Sequence, residues 1–348
     1  MRVTRIGLLG IVVVVAVLTT TAQPGVAFTQ GKTLRIIVGS SPGGGFDIHA
    51  RTVARHIVKY LPGSPKAIVQ NMPGGGGVRA ANYLYNVAKP DGLTILASIP
   101  IHVQQLVGRE EVRYDLKSFR WIGNTTSEVM VALVRSDTPY GSIDTIKASS
   151  KAPNFGYNSM GDISYQFSAL LNRTLGTKIH LIAGYRGTSI VKHAVESGEL
   201  DGFAGTNLTA VFSALRDWLQ KNYLTILVQS GTWDPKTSSY KRHPLLKNVP
   251  TIWELAPPKH RRLINLVHAG QVMGRPYVAP PKVPESRIKI LRDAFWTAVN
   301  SKKYKKEAKR IFKISLDPVR GEVLEMFVKN TMTVSPQDVA LLKKLIKK

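Results

Sequence analysis

"SPGGGFDIHARTVARHI" (residues 41–57) sets three glycines in a row ahead of an aspartate and a helical pattern, and "NMPGGGGVRAANYLYN" (residues 71–86) repeats the arrangement. A short β-branched run precedes each turn, "LRIIVG" (34–39) and "AIVQN" (67–71), and "DGLTILAS" (91–98) supplies a third strand. Strand, glycine turn, helix, strand is the order of a parallel α/β sheet. After the first turn, Ala50, Val53, Ala54, Ile57, Val58 and Leu61 fall at helical spacing, which directs His49, Arg51, Arg55, His56 and Lys59 toward solvent.

A second series follows: "VMVALV" (129–134), "NFGYNS" (154–159), a helix through "YQFSALLNRTLG", "KIHLIAGY" (178–185), a helix from Thr188, "DGFAGTN" (201–207) and "LTILVQ" (224–229). Residues 235–284 read as a proline-marked irregular stretch, followed by helices, one with Ile288, Leu291, Phe295 and Val299 on one face. At the end of the chain Ser335 is placed as an N-cap, with Pro336 at the first helical position and Asp338 completing a capping box. A chain of 348 residues suits two lobes better than one core. The expected crossings lie near Gly123 and Gln229, so residues 28–123 and 230–348 form lobe 1 and residues 124–229 form lobe 2.

Arg2 and Arg5 precede thirteen apolar residues (6–18), and small residues follow at 25–27. That is the pattern of a cleaved secretory signal peptide, residues 1–27, since a membrane span needs about 20 apolar residues. The chain has no cysteine, which excludes thiol catalysis, thiolate metal sites and a lipid-anchored cysteine. A freely soluble periplasmic protein is expected. The formal net charge of +26 raises nucleic acid as a partner, but the basic residues are spread out. The densest basic run, "KKYKKEAKRIFK" (302–313), reads as a solvated helix face, and no basic motif with interleaved aromatics is present, so no nucleic-acid role is expected.

A glycine turn between a strand and a helix presents unpaired main-chain N–H groups and the positive end of the helix dipole, a setting that binds anions. Glycine lets a ligand approach the backbone closely and permits positive φ. Three or four charge-assisted bonds of ~1.5–3 kcal/mol each would bring a small acid toward micromolar binding, about −8 kcal/mol, after immobilisation costs. The phosphate motifs fail letter by letter. Phe46 and Asp47 stand where a P-loop needs Lys-Ser/Thr, and Ile48 stands where the dinucleotide fingerprint needs its third glycine. Asp47 and Asn71 each admit two roles, holding the turn or touching a ligand. Arg51 reads as a surface or interlobe salt-bridge residue. "GYNSMG" misses the G-x-S-x-G elbow by one position, and the eight histidines form no HExxH pattern. No catalytic residue, metal ligand or cofactor is therefore assigned.

"SPGGGFDIHAR", "VQNMPGGGGVRAANYL", "KPDGLTIL", "GYNSMGDISYQFSALL", "YRGTS" and "LKNVPTIWELA" occur in an order that resembles the extracytoplasmic solute-binding proteins of tripartite tricarboxylate transporters, the TctC or Bug family. The resemblance runs from about Leu34 to the C-terminus. It implies a two-lobed periplasmic-binding-protein fold, a type II-like Venus flytrap, closing on a small organic acid that is delivered to membrane permease subunits; a monomer is expected. A periplasmic sensor subunit or a secreted hydrolase are the alternatives. The resemblance also implies that Gly43, Gly44, Gly45, Phe46 and Asp47, with Gly74, Gly75, Gly76 and Gly77, hold the ligand carboxylate. Asn158, Ser159, Gly161, Gly187, Thr188, Thr206 and Asn207 would face it from the second lobe. Tyr165 stands where many relatives carry histidine, and an aspartate common near the later strand is replaced around Gly205. "YRG" replaces Tyr-Lys-Gly, leaving Arg186 either as a partner for a second carboxylate or as a solvated surface residue. Residues 257–277 align poorly with relatives.

Overall fold

The computed structural model describes residues 28–98, 100–158, 160–185, 188–213, 215–234, 236–237 and 239–346; the expected signal peptide lies outside them. In chain order the elements are β1 Thr33–Val38, α1 Gly45–Ile57, β2 Lys66–Asn71, α2 Val78–Asn86, β3 Thr94–Ala97, α3 His102–Leu106 and β4 Arg120–Asn124. There follow β5 Met130–Arg135, α4 Ile143–Ala148, β6 Asn154–Tyr157, α5 Ile163–Leu175, β7 His180–Ala183, α6 Thr188–Glu196, β8 Gly202–Asn207, α7 Leu208–Ser213, α8 Arg216–Gln220 and β9 Leu224–Gln229. The remainder is β10 Thr232–Asp234, β11 Ser239–Lys241, α9 Ile252–Leu255, α10 Arg261–Met273, β12 Pro276–Ala279, α11 Glu285–Asn300, α12 Lys302–Phe312, β13 Val319–Arg320, α13 Gly321–Thr331 and α14 Pro336–Ile346.

These strands make two mixed sheets, ordered β13-β4-β12-β3-β1-β2 and β7-β6-β8-β5-β9, and a small hairpin of β10 and β11. In the first sheet β1 runs parallel to β2 and β3, as the strand–turn–helix order requires, and β12 enters antiparallel between β3 and β4. In the second, β6 is parallel to β7 and β8, whereas β5 is antiparallel to β8 and β9.

Side chains alternate across each strand, so a strand buried on both faces feeds two cores. Leu34, Ile36 and Val38 of β1 pack with α1, α11 and α12 through Val53, Ile57, Leu291, Phe295, Tyr304 and Phe312. Ile37 points the other way, into a cluster that continues without a break from Leu84, Leu96 and Trp121 to Met130, Phe155, Phe167 and Leu170 of the second sheet and its helix α5. The far face of the second sheet closes with Leu133, Phe203, Val195, Leu208 and Trp218.

Two expectations are corrected. His49 and His56 are 1% and 4% exposed, because α12 covers that side of α1. The His49 ring stacks on Phe312 at 3.8 Å, and His56 meets Tyr304 edge-on and bonds to Glu307 at 2.7 Å. The stretch 235–284 is not irregular throughout, since it contains the thirteen-residue α10 and the buried strand β12. The capping box is present: the Asp338 N–H donates to Ser335 Oγ at 3.2 Å and the Ser335 N–H to Asp338 Oδ2 at 3.0 Å. Among the described residues no helix is long and apolar enough to cross a membrane.

Candidate functional site

The first glycine turn leaves the carboxyl end of β1. Gly43 adopts φ +76°, and its N–H donates to Asp47 Oδ2 at 2.9 Å. Gly44 is the N-cap of α1 but carries no side chain to cap with, and the Ile48 N–H donates to the Gly44 carbonyl at 3.0 Å. The preceding amides of Gly45, Phe46 and Asp47 precede the first intrahelical bond, so they lack a partner within the helix. Gly43, Gly44 and Gly45 are exposed.

The second turn is more demanding. Gly74, Gly75, Gly76 and Gly77 have φ of +138°, +57°, +64° and +101° in succession. Residues with side chains lose roughly 1–2 kcal/mol at each left-handed position, which accounts for four consecutive glycines. Asn71 fastens the turns together. Its Nδ2 donates to Asp47 Oδ1 at 2.9 Å and to the Ser40 carbonyl at 3.0 Å. Arg51 completes the tie between the turns, Nε to Asp47 Oδ2 at 2.9 Å and Nη2 to Asn71 Oδ1 at 3.1 Å. Burial alone pushes the Asp47 carboxyl up, but the bonds from Arg51, Gly43 and Asn71 outweigh it and hold the group below the usual carboxylate range.

Opposite the second turn stands the carboxyl end of β6. Gly161 is buried and its carbonyl accepts from Gln104 Nε2 at 2.5 Å and Gln166 Nε2 at 3.0 Å. A Cβ on Gly76 would stand 3.6 Å from Gln104 Nε2 and 3.7 Å from that same carbonyl oxygen, so the two sheet edges face each other here. Asn158 is exposed directly after β6, and Thr206 and Asn207 close the parallel neighbour β8, Thr206 being buried opposite Val131. Tyr165 is buried on α5 with its ring 4.9 Å from Tyr157, and it borders a groove between α5 and α14 that includes Lys344. The backbone of Thr188 opens α6. Ser159, Arg186 and Gly187 lie outside the described residues.

Sequence reasoning missed Gln104 and a buried cluster of Arg275, Glu128 and Thr209. Arg275 Nε donates to Glu128 Oε1 at 2.6 Å and Nη2 to Thr209 Oγ1 at 3.3 Å, while the Phe46 ring covers the guanidinium at 4.1 Å. The backbone brings these residues together where the chain passes between sheets. The Thr125 N–H donates to the Arg275 carbonyl at 3.2 Å, the Arg275 N–H to Thr126 O at 3.1 Å, and the Glu128 N–H to Gln271 O at 2.9 Å. No local spacing signals a pair 147 residues apart. Among the described residues no group of three or more His, Cys, Asp or Glu side chains is arranged to hold a metal ion.

The family model described as the tripartite tricarboxylate transporter family receptor, TctC, matches residues 49–348. A Cupriavidus necator protein named "UPF0065 protein in gbd 5'region" is 28% identical over 320 residues, covering 89% of this chain and 87% of its own length. MatC from Rhodopseudomonas palustris, solved with bound malate, superposes with a TM-score of 0.65 at 18% identity over 91% of this chain and 99% of its own. A second R. palustris protein, solved with adipate, gives a TM-score of 0.66 at 18% identity over 90% and 97%. At these identities the structural likeness is one of fold, the two-lobed fold of periplasmic binding proteins.

Proposed function

The chain belongs to the tripartite tricarboxylate transporter receptor family, and from that premise we propose that it captures a small carboxylate between its two lobes and presents it to a membrane permease. The family is one of receptors rather than enzymes, and the proposal extends this to the chain itself: it binds without turnover. Lobe 1 comprises residues 28–123 and 230–348 and lobe 2 residues 124–229; the protein acts as a monomer in the periplasm after loss of residues 1–27.

The observation that carries the reading is the second turn, four successive glycines of positive φ, of which Gly74 and Gly75 are exposed, facing the Gly161 carbonyl beyond β6. The Gly77 N–H donates back to the Gly74 carbonyl at 3.0 Å and the Val78 N–H to the Gly75 carbonyl, which leaves the Gly75 and Gly76 N–H groups to stabilise the negative charge of a carboxylate without a counter-ion from the chain. The first turn adds the amides of Gly45, Phe46 and Asp47. Malate and adipate in proteins of similar fold support a small organic acid as the ligand class. Asn158, Gly161, Tyr165, Thr206 and Asn207, with Ser159, Arg186, Gly187 and Thr188, would then act from the second lobe on the remainder of the ligand.

Calorimetry with malate, adipate, hexanoate and benzoate tests this. The best-bound acid is expected to bind with a dissociation constant near micromolar, about −8 kcal/mol, and to be recovered unchanged. Gly76→Val is expected to abolish that binding, because its methyls would fill the space between Gly76 and the Gly161 carbonyl, with a drop in thermal midpoint from the left-handed φ. A well-folded variant that binds as tightly as the wild type would sink the proposal, and product formation would move the protein to the enzymes.

A further inference from the structure

Helix α12 shows solvent a face of one sign. Lys302, Lys303, Lys305, Lys306, Lys309 and Arg310 are all exposed, and the exposed Lys313 continues the run from the C-cap position. At 3.6 residues per turn these positions fall within roughly 160° of the helix circumference, along a length of about 17 Å. The opposite side, with Tyr304, Ala308 and Phe312, is buried against α1 and α11. Glu307, the one acidic residue of the helix, lies outside that arc and is engaged by Arg55 at 2.5 Å and His56 at 2.7 Å, so it does not offset the exposed charge. Among the described residues none of the basic side chains on this face has an ion-pair or hydrogen-bond partner.

The run works against the helix that carries it. Lys302 and Lys303 stand in the first turn, at the positive end of the helix dipole, and no acidic residue is present there. Lys302 and Lys306, Lys305 and Lys309, and Lys306 and Arg310 are like charges four residues apart, and each pair repels. Capping is supplied separately, by Ser301 Oγ accepting from the Tyr304 N–H at 3.2 Å. A face that had only to be solvated gains by mixing signs, as its neighbours do: α11 pairs Lys289 with Asp293, and α13 pairs Lys329 with Glu325. One sign, held at a cost to the helix, points to a polyanion outside the chain.

Three properties select its class. The basic groups are strung along a straight rod instead of converging on a point, which suits an extended charged plane better than one small anion. Tyr304 and Phe312 lie beneath the face, so no ring is offered for bases to stack on. The apolar side of α12 is already buried in the core, so the helix can rest on a charged surface but cannot insert into it. We propose that this face docks the protein on the surface of an anionic phospholipid bilayer, by charge alone. The receptor family works with membrane transporters, so such a surface lies beside the partner. Docking of this kind goes beyond the carboxylate reading and does not depend on it.

The test is co-sedimentation of the purified protein with vesicles of phosphatidylcholine alone and of phosphatidylcholine containing one-third phosphatidylglycerol. The wild type is expected to bind only the anionic vesicles and to be released between about 0.1 and 1 M salt, as the screening length falls from about 10 to 3 Å. The fourfold variant Lys302→Gln, Lys306→Gln, Lys309→Gln, Arg310→Gln is expected to bind them at least about tenfold more weakly. Its thermal midpoint should equal or exceed that of the wild type, since repulsion is relieved, and its affinity for the best-bound acid should be unchanged in calorimetry. A control of equal net charge, Lys66→Gln, Lys89→Gln, Lys151→Gln, Lys247→Gln, removes four exposed lysines outside α12 and should bind within about threefold of the wild type. Equal weakening of the two variants would assign the effect to net charge and overturn the inference. Binding that survives 1 M salt or extends to phosphatidylcholine alone would mean apolar insertion and overturn it as well. Absence of vesicle binding at about 0.1 M salt overturns it too, and retention on DNA at that salt would then move the face to nucleic acid. A lowered midpoint in the α12 variant would show that the run serves the fold.

Discussion

Asp47 shows how far a single residue can be read from its neighbours in sequence. Its place in the first turn of a helix favours either a capping bond or a ligand, and those two readings differ only in what the fold brings against the carboxylate. The structure brings Asn71 and Arg51 onto the carboxylate together with the Gly43 N–H, so three groups are fixed by one side chain buried to 2% exposure. Asp47→Ala is accordingly expected to cost about 2–3 kcal/mol in urea denaturation at pH 7, the worth of charged hydrogen bonds, and to loosen the first turn. The pH dependence has a definite sign. The folded carboxyl titrates below its ordinary 3.8, so its contribution is complete above that value and fades as the pH falls through the lower folded one. The gap between wild type and variant should therefore narrow in acid; a gap that widens there would show that Asp47 is held protonated. Arg275 is the opposite case: its partners are Glu128, Thr209 and the Phe46 ring, and nothing adjacent to it in the chain announces them.

At the scale of elements, legibility followed burial pattern. Helix α1 carries one apolar stripe and was readable, as were β1, β2 and the strands of the second sheet, because each places branched residues between turn formers. The same stripe misled at His49 and His56: a helix wheel shows polarity, not whether a second helix lies over the polar side, and α12 does so through Tyr304, Ala308 and Phe312. Helix α10 was missed because the polar His268 and Gln271 are buried among Leu263, Ile264, Leu266 and Val267, so the inward face does not read as a clean apolar stripe. Its surroundings yield a prediction that runs against helix propensity. Gly270→Ala should gain about 1 kcal/mol from propensity, but the added Cβ would lie 2.8 Å from the His102 ring and 2.9 Å from Pro100 Cβ. Overpacking of that kind costs about 1–3 kcal/mol. Denaturant midpoints should thus fall, and a stabilised variant would mean that α3 and α10 can move apart freely.

For the whole molecule, the two sheets share one apolar cluster, and three histidines are enclosed where the helices and crossings meet, each fully removed from solvent or nearly so. Burial lowers His268 to about 3, and it lowers His102 to about 4 although the Leu266 carbonyl bonded to its Nε2 at 3.0 Å opposes the shift. His49 is held well below 6.5 by burial first and by Arg275 second. All three are neutral in the fold and take up protons when it opens. Between 6.5 and about 4 the unfolded chain therefore binds more protons, and stability declines by about 1.4 kcal/mol per pH unit for each of His102 and His268, with His49 acting in the same direction. Against a total of roughly 5–15 kcal/mol, three such groups are enough to bring the protein near its unfolding limit in mild acid. His268 isolates the effect. Its two ring nitrogens have no hydrogen-bond partner among the described residues, and its ring stacks on Phe167 at 5.7 Å and meets Tyr240 edge-on at 5.0 Å. Phenylalanine keeps both ring contacts and removes the titrating group. His268→Phe should match or exceed the wild type at pH 7.5 and gain about 2 kcal/mol relative to it at pH 5, with a shallower dependence of the urea midpoint on pH. Equal slopes for the two proteins would mean that His268 protonates within the folded structure, and the enclosure of that junction would then have to be reconsidered.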